Sequence, residues 1–344
     1  MKLGLISGYW GAGPPSGAEE EIAEAERLGF DSMWTSEAYG SDAFTPLAWW
    51  GSRTSRLRLG TAIAQMSART PAATAMAAIT LDHLSGGRFI LGLGVSGPQV
   101  VEGWYGQPFP KPLARTREFI AIVRAIVARE GPVSFEGEHY RLPFAGGAGL
   151  GKALKSTVHP IRDLPIFLAA EGPKNVALAA EIADGWLPFW FSPKSDGYYR
   201  AALAEGFGRP GARCAAKEFE VVCSVPVVID DDVEHAADQV RPQLALYVGG
   251  MGARGANFHY DVIARLGYEA ECARIQELYL AGDRAGAMAA VPTQLVEDVA
   301  LIGPPAKIRD ELPAWRDTLI DVMLIRGSPP VLRTMAELVL GNPH

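Results

Sequence analysis

Short apolar runs alternate with longer helix-forming runs from the first residues of the chain, and this rhythm narrows the fold more than any other feature. Leu3–Ser7 reads as a strand, and Gly17–Leu28 as an acidic amphipathic helix stopped at Gly29, a good left-handed cap. Phe30–Thr35 and Leu57–Ala64 are the next strands, with a helix over Thr45–Ser55 between them. Pro71–Leu84 is a helix opened by proline, where a missing N–H costs nothing. Strand Arg88–Leu93 and helix Ala114–Arg129 follow, then strands at Pro165–Ala170, Gly185–Trp190, Phe219–Ile229 and Asp321–Arg326. The strands are nearly unbroken apolar runs, the mark of a parallel sheet buried on both faces. About eight strand–helix units in 344 residues fit a (β/α)8 barrel. The rival doubly wound sheet places Gly-x-Gly-x-x-Gly after its first strand, but here that loop reads Gly8-Tyr-Trp-Gly-Ala-Gly13. One domain over 1–344 is therefore expected, with insertions at about 131–163 and 230–318. The first, rich in glycine and proline, reads as a hairpin plus loop. The second is mainly helical and contains Gly249-Gly-Met-Gly-Ala-Arg-Gly255, either a lid over the barrel mouth or a plain helix connection.

Composition sets outer limits. The chain is 48% hydrophobic and 21% charged, with net charge −7. An acidic balance argues against nucleic acid and anionic membranes as partners. No apolar run reaches the roughly 18 residues of a membrane span. Cys214, Cys223 and Cys272 are widely spaced and match no metal pattern, so no metal is expected. Met1-Lys2-Leu3 opens straight into a strand, which leaves no room for a signal peptide and makes the cytoplasm the expected compartment.

Barrel chemistry sits at the carboxyl ends of the strands. There the sequence offers Gly8, Tyr9 and Trp10, then Glu37, Tyr39 and Asp42, then Ala62, Ile63, Ala64 and Gln65. The fourth strand runs into Gly94, Val95, Ser96 and Gly97, and the fifth into Glu171, Gly172, Pro173, Lys174 and Asn175. Both turns are rich in glycine or proline and open a helix, so their free N–H groups suit a phosphate. Trp186 and Trp190 flank the sixth strand and, with Trp10, are candidates to line a substrate pocket. Glu37, Tyr39 and Asp42 are the candidate proton-transfer residues. There is no nucleophile–base pair, no Gly-x-Ser-x-Gly elbow and no lysine or paired carboxylates suited to an aldolase or isomerase. A mouth of this kind is built to hold a planar ring system, so a bound cofactor would carry the reaction.

These residues resemble the luciferase-like monooxygenase superfamily, and within it the branch that uses the deazaflavin coenzyme F420. The resemblance rests on Ala23-Glu-Ala-Glu-Arg-Leu-Gly-Phe-Asp-Ser-Met-Trp-Thr-Ser-Glu37, Leu59-Gly-Thr-Ala-Ile-Ala-Gln65, Arg69-Thr-Pro71, Leu81-Asp-His-Leu-Ser-Gly-Gly-Arg-Phe-Ile-Leu-Gly-Leu-Gly94 and Ala180-Glu-Ile-Ala-Asp-Gly-Trp186. It implies a barrel with an insertion region and a non-prolyl cis peptide among Ala62, Ile63 and Ala64, pressed against the cofactor ring. It implies a cofactor phosphate on Gly94–Gly97 and Gly172–Asn175. The sugar-phosphate dehydrogenase branch carries a histidine where Ala38 stands and a glutamate where Val95 stands. Sugar oxidation is therefore not expected, because removing an alcohol proton needs a placed base. The expected activity is F420-dependent hydride transfer to or from a carbonyl, alcohol or activated alkene. The alternatives are an FMN-dependent monooxygenase and a non-catalytic flavin or deazaflavin carrier. The resemblance also implies a homodimer, for which the apolar helices Phe44–Trp50 and Pro71–Ile79 are candidate contacts.

Overall fold

The computed structural model describes residues 1–252 and 254–341. Eight parallel strands form the barrel: β1 Lys2–Ile6, β2 Ser32–Thr35, β3 Arg58–Thr61, β4 Phe89–Gly94, β5 Ile166–Ala169, β6 Gly185–Leu187, β7 Glu220–Ser224 and β8 Val322–Ile325. Each pairs with its sequence neighbours, and β8 pairs with β1 to close the ring through Leu3↔Met323 and Leu5↔Ile325. The (β/α)8 expectation holds.

The apolar runs form strands because both faces are covered. Inside the barrel, Trp34, Ile90, Phe167, Leu187, Val222 and Leu324 fill the lumen. Outside, the alternate residues pack under the helices. A Cβ at Gly60 would overlap the indole of Trp34, so glycine there is what lets that ring lie across the lumen. The Leu81–Gly94 motif is largely structural. Arg88 donates to the carbonyls of Ser85 (2.8 Å), Leu57 (2.5 Å) and Thr54 (3.1 Å), locking β3 to the turn before β4. Buried Asp82 accepts from Arg162 Nη2 at 2.8 Å, which pins the end of the first insertion.

The first insertion contains the expected hairpin, Phe135–Glu136 against Arg141–Leu142. The run Phe219–Ile229, expected as one strand, is two. It breaks at Val225-Pro226, where proline has no N–H to give to a ladder. Its second part, Val227–Ile229, pairs with Leu301–Gly303, a three-residue strand the sequence reading passed over. Helices Val233–Gly250, Phe258–Ile263 and Glu269–Leu280 build most of the second insertion around a separate apolar cluster. No described helix is long and apolar enough to cross a membrane.

Residues on either side of Ala253 in and after the glycine run are packed or bonded. Gly249 and Gly250 lie directly against the Tyr279 ring. Beyond the run, buried Asn257 donates to the carbonyls of Tyr247 and Val248, both at 2.9 Å, and accepts from His259 N and Tyr260 N. Ala253, within the run, lies outside the described residues.

Glu181 clamps the outer helices around Pro173–Ile182. Arg117 reaches it at 2.6 Å and Arg209 at 2.8 Å, and these cations hold its carboxyl down at about 2. Its folded value lies below its unfolded one, so its stabilising effect is full above pH about 4.5 and fades as pH falls towards 2. Glu181→Gln should therefore lower urea midpoints at pH 7 and lose less than the parent between pH 5 and pH 3. Equal midpoints at pH 7 would show that the clamp contributes nothing.

Candidate active site

The strand ends open into a cavity of about 1590 Å³ that also runs beneath the second insertion. Its floor is barrel lumen: Ile6, Ala62, Ile63, Ala169, Leu187 and Leu324. The Ala62–Ile63 peptide is cis, within the span the resemblance implied. A Cβ on Gly94 would lie 2.8 Å from Ile63 Cγ1, so glycine ends β4 where the Ile63 side chain crosses it.

Two turns face this space from neighbouring strands. After β4, Ser96 is left-handed at φ 58°, and the N–H groups of Val95, Ser96 and Gly97 find no partner among the described residues. After β5, Gly172 precedes Pro173–Ile182; the N–H groups of Gly172 and Lys174 find no partner among the described residues, while Asn175 N and Val176 N donate to the Gly172 carbonyl, and the Lys174 side chain stands exposed. A Cβ at Gly172 meets no protein atom within 4 Å. The space over these amides is open, as an anion seat requires.

Glu37, at the end of β2, is buried to 5% exposure. Its Oε2 accepts from Gln65 N and from Arg69 Nη1, both at 2.8 Å. Gln65 Nε2 returns a bond to the Glu37 carbonyl at 3.1 Å. Glu37 therefore ties the end of β2 to the segment beyond β3, while its Oε1 has no partner among the described residues. Tyr39 stands exposed at the rim. On the facing wall, His259 Nδ1 lies 2.7 Å from Glu171 Oε1 without hydrogen-bond alignment. His259 packs edge-on to Tyr247 at 4.7 Å and to Phe189 at 5.6 Å. Burial pushes the Tyr247 phenol well above its ordinary value, so it remains a neutral donor.

Three side chains that line this cavity carry a buried polar atom with no partner among the described residues: Gln65 Oε1, Glu171 Oε2 and Trp190 Nε1. Buried polar atoms are normally paired. Their concentration here fits a ligand rich in donors and acceptors.

Most of the expected site residues meet in this one cavity: Gly8 and Tyr9, Glu37 and Tyr39, Ala62, Ile63 and Gln65, Gly94 to Gly97, Glu171 to Asn175, and Trp190. Four do not. Ala64 is buried behind the lining, paired with Leu93. Asp42 accepts from Phe44 N (2.9 Å) and Thr45 N (2.8 Å), the work of a helix cap rather than a catalytic acid. Trp10 packs on Trp50 and borders a separate hollow with Asp42. Trp186 is fully buried on the outer face of β6, where its Nε1 donates to the Ala170 carbonyl at 2.8 Å.

The sequence reading missed the insertion's share of the lining: Gln239, Gln243, Tyr247, Met251, Phe258 and His259. One signal was present. Gln239, Gln243 and Tyr247 recur every four residues and so share a helix face. Among the described residues, no three His, Cys, Asp or Glu side chains are grouped as a metal site would need.

A closed parallel barrel with glycine turns over a ring-sized floor defines a class, and the sequence comparison agrees with it: the chain belongs to the luciferase-like monooxygenase family, whose model matches residues 6–322. A Mycobacterium tuberculosis protein provisionally named coenzyme F420-dependent oxidoreductase is 56% identical over 343 residues, 98% of this chain and 99% of that one. The 5,10-methylenetetrahydromethanopterin reductase of Methanolobus tindarius is 30% identical over 89% of this chain and 88% of its own. Among solved structures, the coenzyme F420-dependent tetrahydromethanopterin reductase of Methanopyrus kandleri superposes with TM-score 0.77 at 23% identity, covering 99% of this chain and 98% of that one.

Proposed function

We propose that the cavity seats coenzyme F420 and that the protein is an oxidoreductase moving a hydride between the deazaflavin and an organic carbonyl, alcohol or activated alkene. The observation that carries this reading is the convergence of two turns, with unpaired N–H groups at Val95, Ser96 and Gly97 and at Gly172 and Lys174, on one cavity with an apolar barrel floor. The name of the Mycobacterium tuberculosis relative favours F420 over FMN.

The turns would hold the phosphate through backbone N–H groups, with Lys174 adding positive charge. Ile6, Ala62, Ile63 and Leu187 would face the ring and keep water from it. When bound and reduced, F420 supplies the hydride. Glu37 Oε1 and the Tyr39 hydroxyl are the groups able to hold or pass the accompanying proton. Gln65, fixed through Glu37, would help hold the bound group, its Oε1 being free to accept a hydrogen bond. We place the protein in the cytoplasm, a reducing compartment that suits its three free cysteines. We also take it to work as a homodimer, since Trp49 and Met76 stand exposed on the two helices named for that contact.

The test is a titration of the purified protein with F420 and with FMN, followed by cofactor fluorescence. F420 should bind at least tenfold more tightly. Tighter binding of FMN would overturn the reading in favour of a flavin monooxygenase. Tight F420 binding with no reduction of any carbonyl or enone would leave a carrier.

A further inference from the structure

We infer that the substrate is a carbonyl compound with a long uncharged alkyl arm, and that residues 222–251 form the wall that receives it. This deepens the F420 reading and rests on it for the reacting end. The cavity, at about 1590 Å³, exceeds the roughly 300–1,000 Å³ that encloses one drug-sized ligand. Space therefore remains beside a cofactor for a second molecule of comparable size.

The distribution of charge around the cavity is uneven. Glu37, Glu171, Lys174 and Arg326 belong to the strand ends and Lys111 to the rim, while His259, on the insertion's next helix, faces Glu171. The lining contributed by residues 222–251 is mostly apolar, from Val222 through Val225–Val228 and Val240 to Met251, with neutral Ser224, Gln239, Gln243 and Tyr247 among them, and no charged residue of that stretch reaches it. The stretch is not short of charges. Asp230, Asp231, Asp232, Glu234, Asp238 and Arg241 all fall outside the lining. Arg241 is turned away, bonded to Asp238, to Glu234 and to the Val291 carbonyl.

The helix side of this wall spans Gln239 to Gly250, about 16 Å at 1.5 Å per residue. Val227 and Val228 are held opposite by their pairing with Leu301 and Ile302. A charged arm would lose hydration here and find no counter-ion, whereas an alkyl arm gains by burial. The reaction balances in the reductive direction: hydride from reduced F420 to the carbonyl carbon, a proton to the oxygen, alcohol and oxidised cofactor as products.

The inference is tested on the protein without cofactor, by calorimetric titration with methyl ketones of four to twelve carbons. Affinity should rise up to about fourfold per methylene, then level off when the wall is covered. Ketones ending in a carboxylate should bind at least tenfold more weakly than their uncharged counterparts. Val228→Asp should flatten the chain-length slope. A flat slope in the parent, or equal binding of the carboxylated series, overturns the inference whether or not that variant folds. The F420 titration is read separately. F420 binding with a flat slope sinks this inference alone, whereas a steep slope without F420 binding supports the wall and sinks the cofactor reading.

Discussion

Gly172→Asp should weaken F420 binding roughly a hundredfold while leaving the fold at least as stable as before. A Cβ at Gly172 touches no protein atom, and the backbone there is extended at φ −77°, so an aspartate fits without strain. The position is the N-cap of Pro173–Ile182 and now lacks a side-chain cap. Aspartate at that place contributes a few tenths of a kcal/mol over glycine, and restricting the unfolded chain adds about 0.4–1 kcal/mol. The same carboxylate would stand among the amides proposed to receive the phosphate. Two like charges about 5 Å apart at an effective dielectric near 20 repel by about 3 kcal/mol, which is the hundredfold. Thermal melts and an F420 titration on one preparation read both effects. If affinity is unchanged while the melting point holds, the phosphate lies elsewhere.

Glu37→Ala should cost about 2–3 kcal/mol of stability and lower F420 affinity about tenfold. The Glu37 carboxylate, 4% exposed, is the shared acceptor of Gln65 N and of the Arg69 guanidinium, which is 23% exposed. Removing it strands a half-buried cation and a buried amide. The penalty falls below that of a fully buried pair because water reaches Arg69. The cofactor effect follows from place: Ala62 and Ile63 lie just before Gln65 in the floor of the cavity. Glu37→Gln keeps an oxygen for Gln65 N and should recover most of the stability. If Glu37→Gln restores the fold and the F420 affinity but not turnover, Glu37 also passes a proton. If it restores turnover too, Glu37 only positions. An unchanged melting point in Glu37→Ala would refute the anchor.

The parts of this molecule that could be read in advance are those set by local physics. Strands buried on both faces must be unbroken apolar runs, and β2, β4 and β8 are buried along their whole length. Pro71 and Leu84 bound their helix as proline and the Ser85-Gly86-Gly87 stop require. The glycine turns after β4 and β5 were legible for the same reason. The errors share one cause. Successive strand residues face opposite sides. Leu187 looks into the lumen, so Trp186 beside it must look outward, and an aromatic near a strand end says nothing of which side it takes. Asp42 was legible as a polar residue in a loop, but only the start of Phe44–Gly51 shows that helix amides claim it. The insertion's share of the cavity depends on contacts between residues far apart in sequence, such as Glu171 with His259, which no local pattern encodes.

Asn257 has a consequence for how such an enzyme diversifies. Its four bonds fasten the cavity-lining end of the Val233–Gly250 helix to the start of the next, without help from any barrel strand. The chamber thus has two parts: one carried by the barrel strands, the other by an excursion between its final two strands whose cavity-lining end has this support of its own. If the two parts hold cofactor and substrate as proposed, mutation of the second would change the choice of molecule to be transformed while the seat of the redox reagent stays as it was.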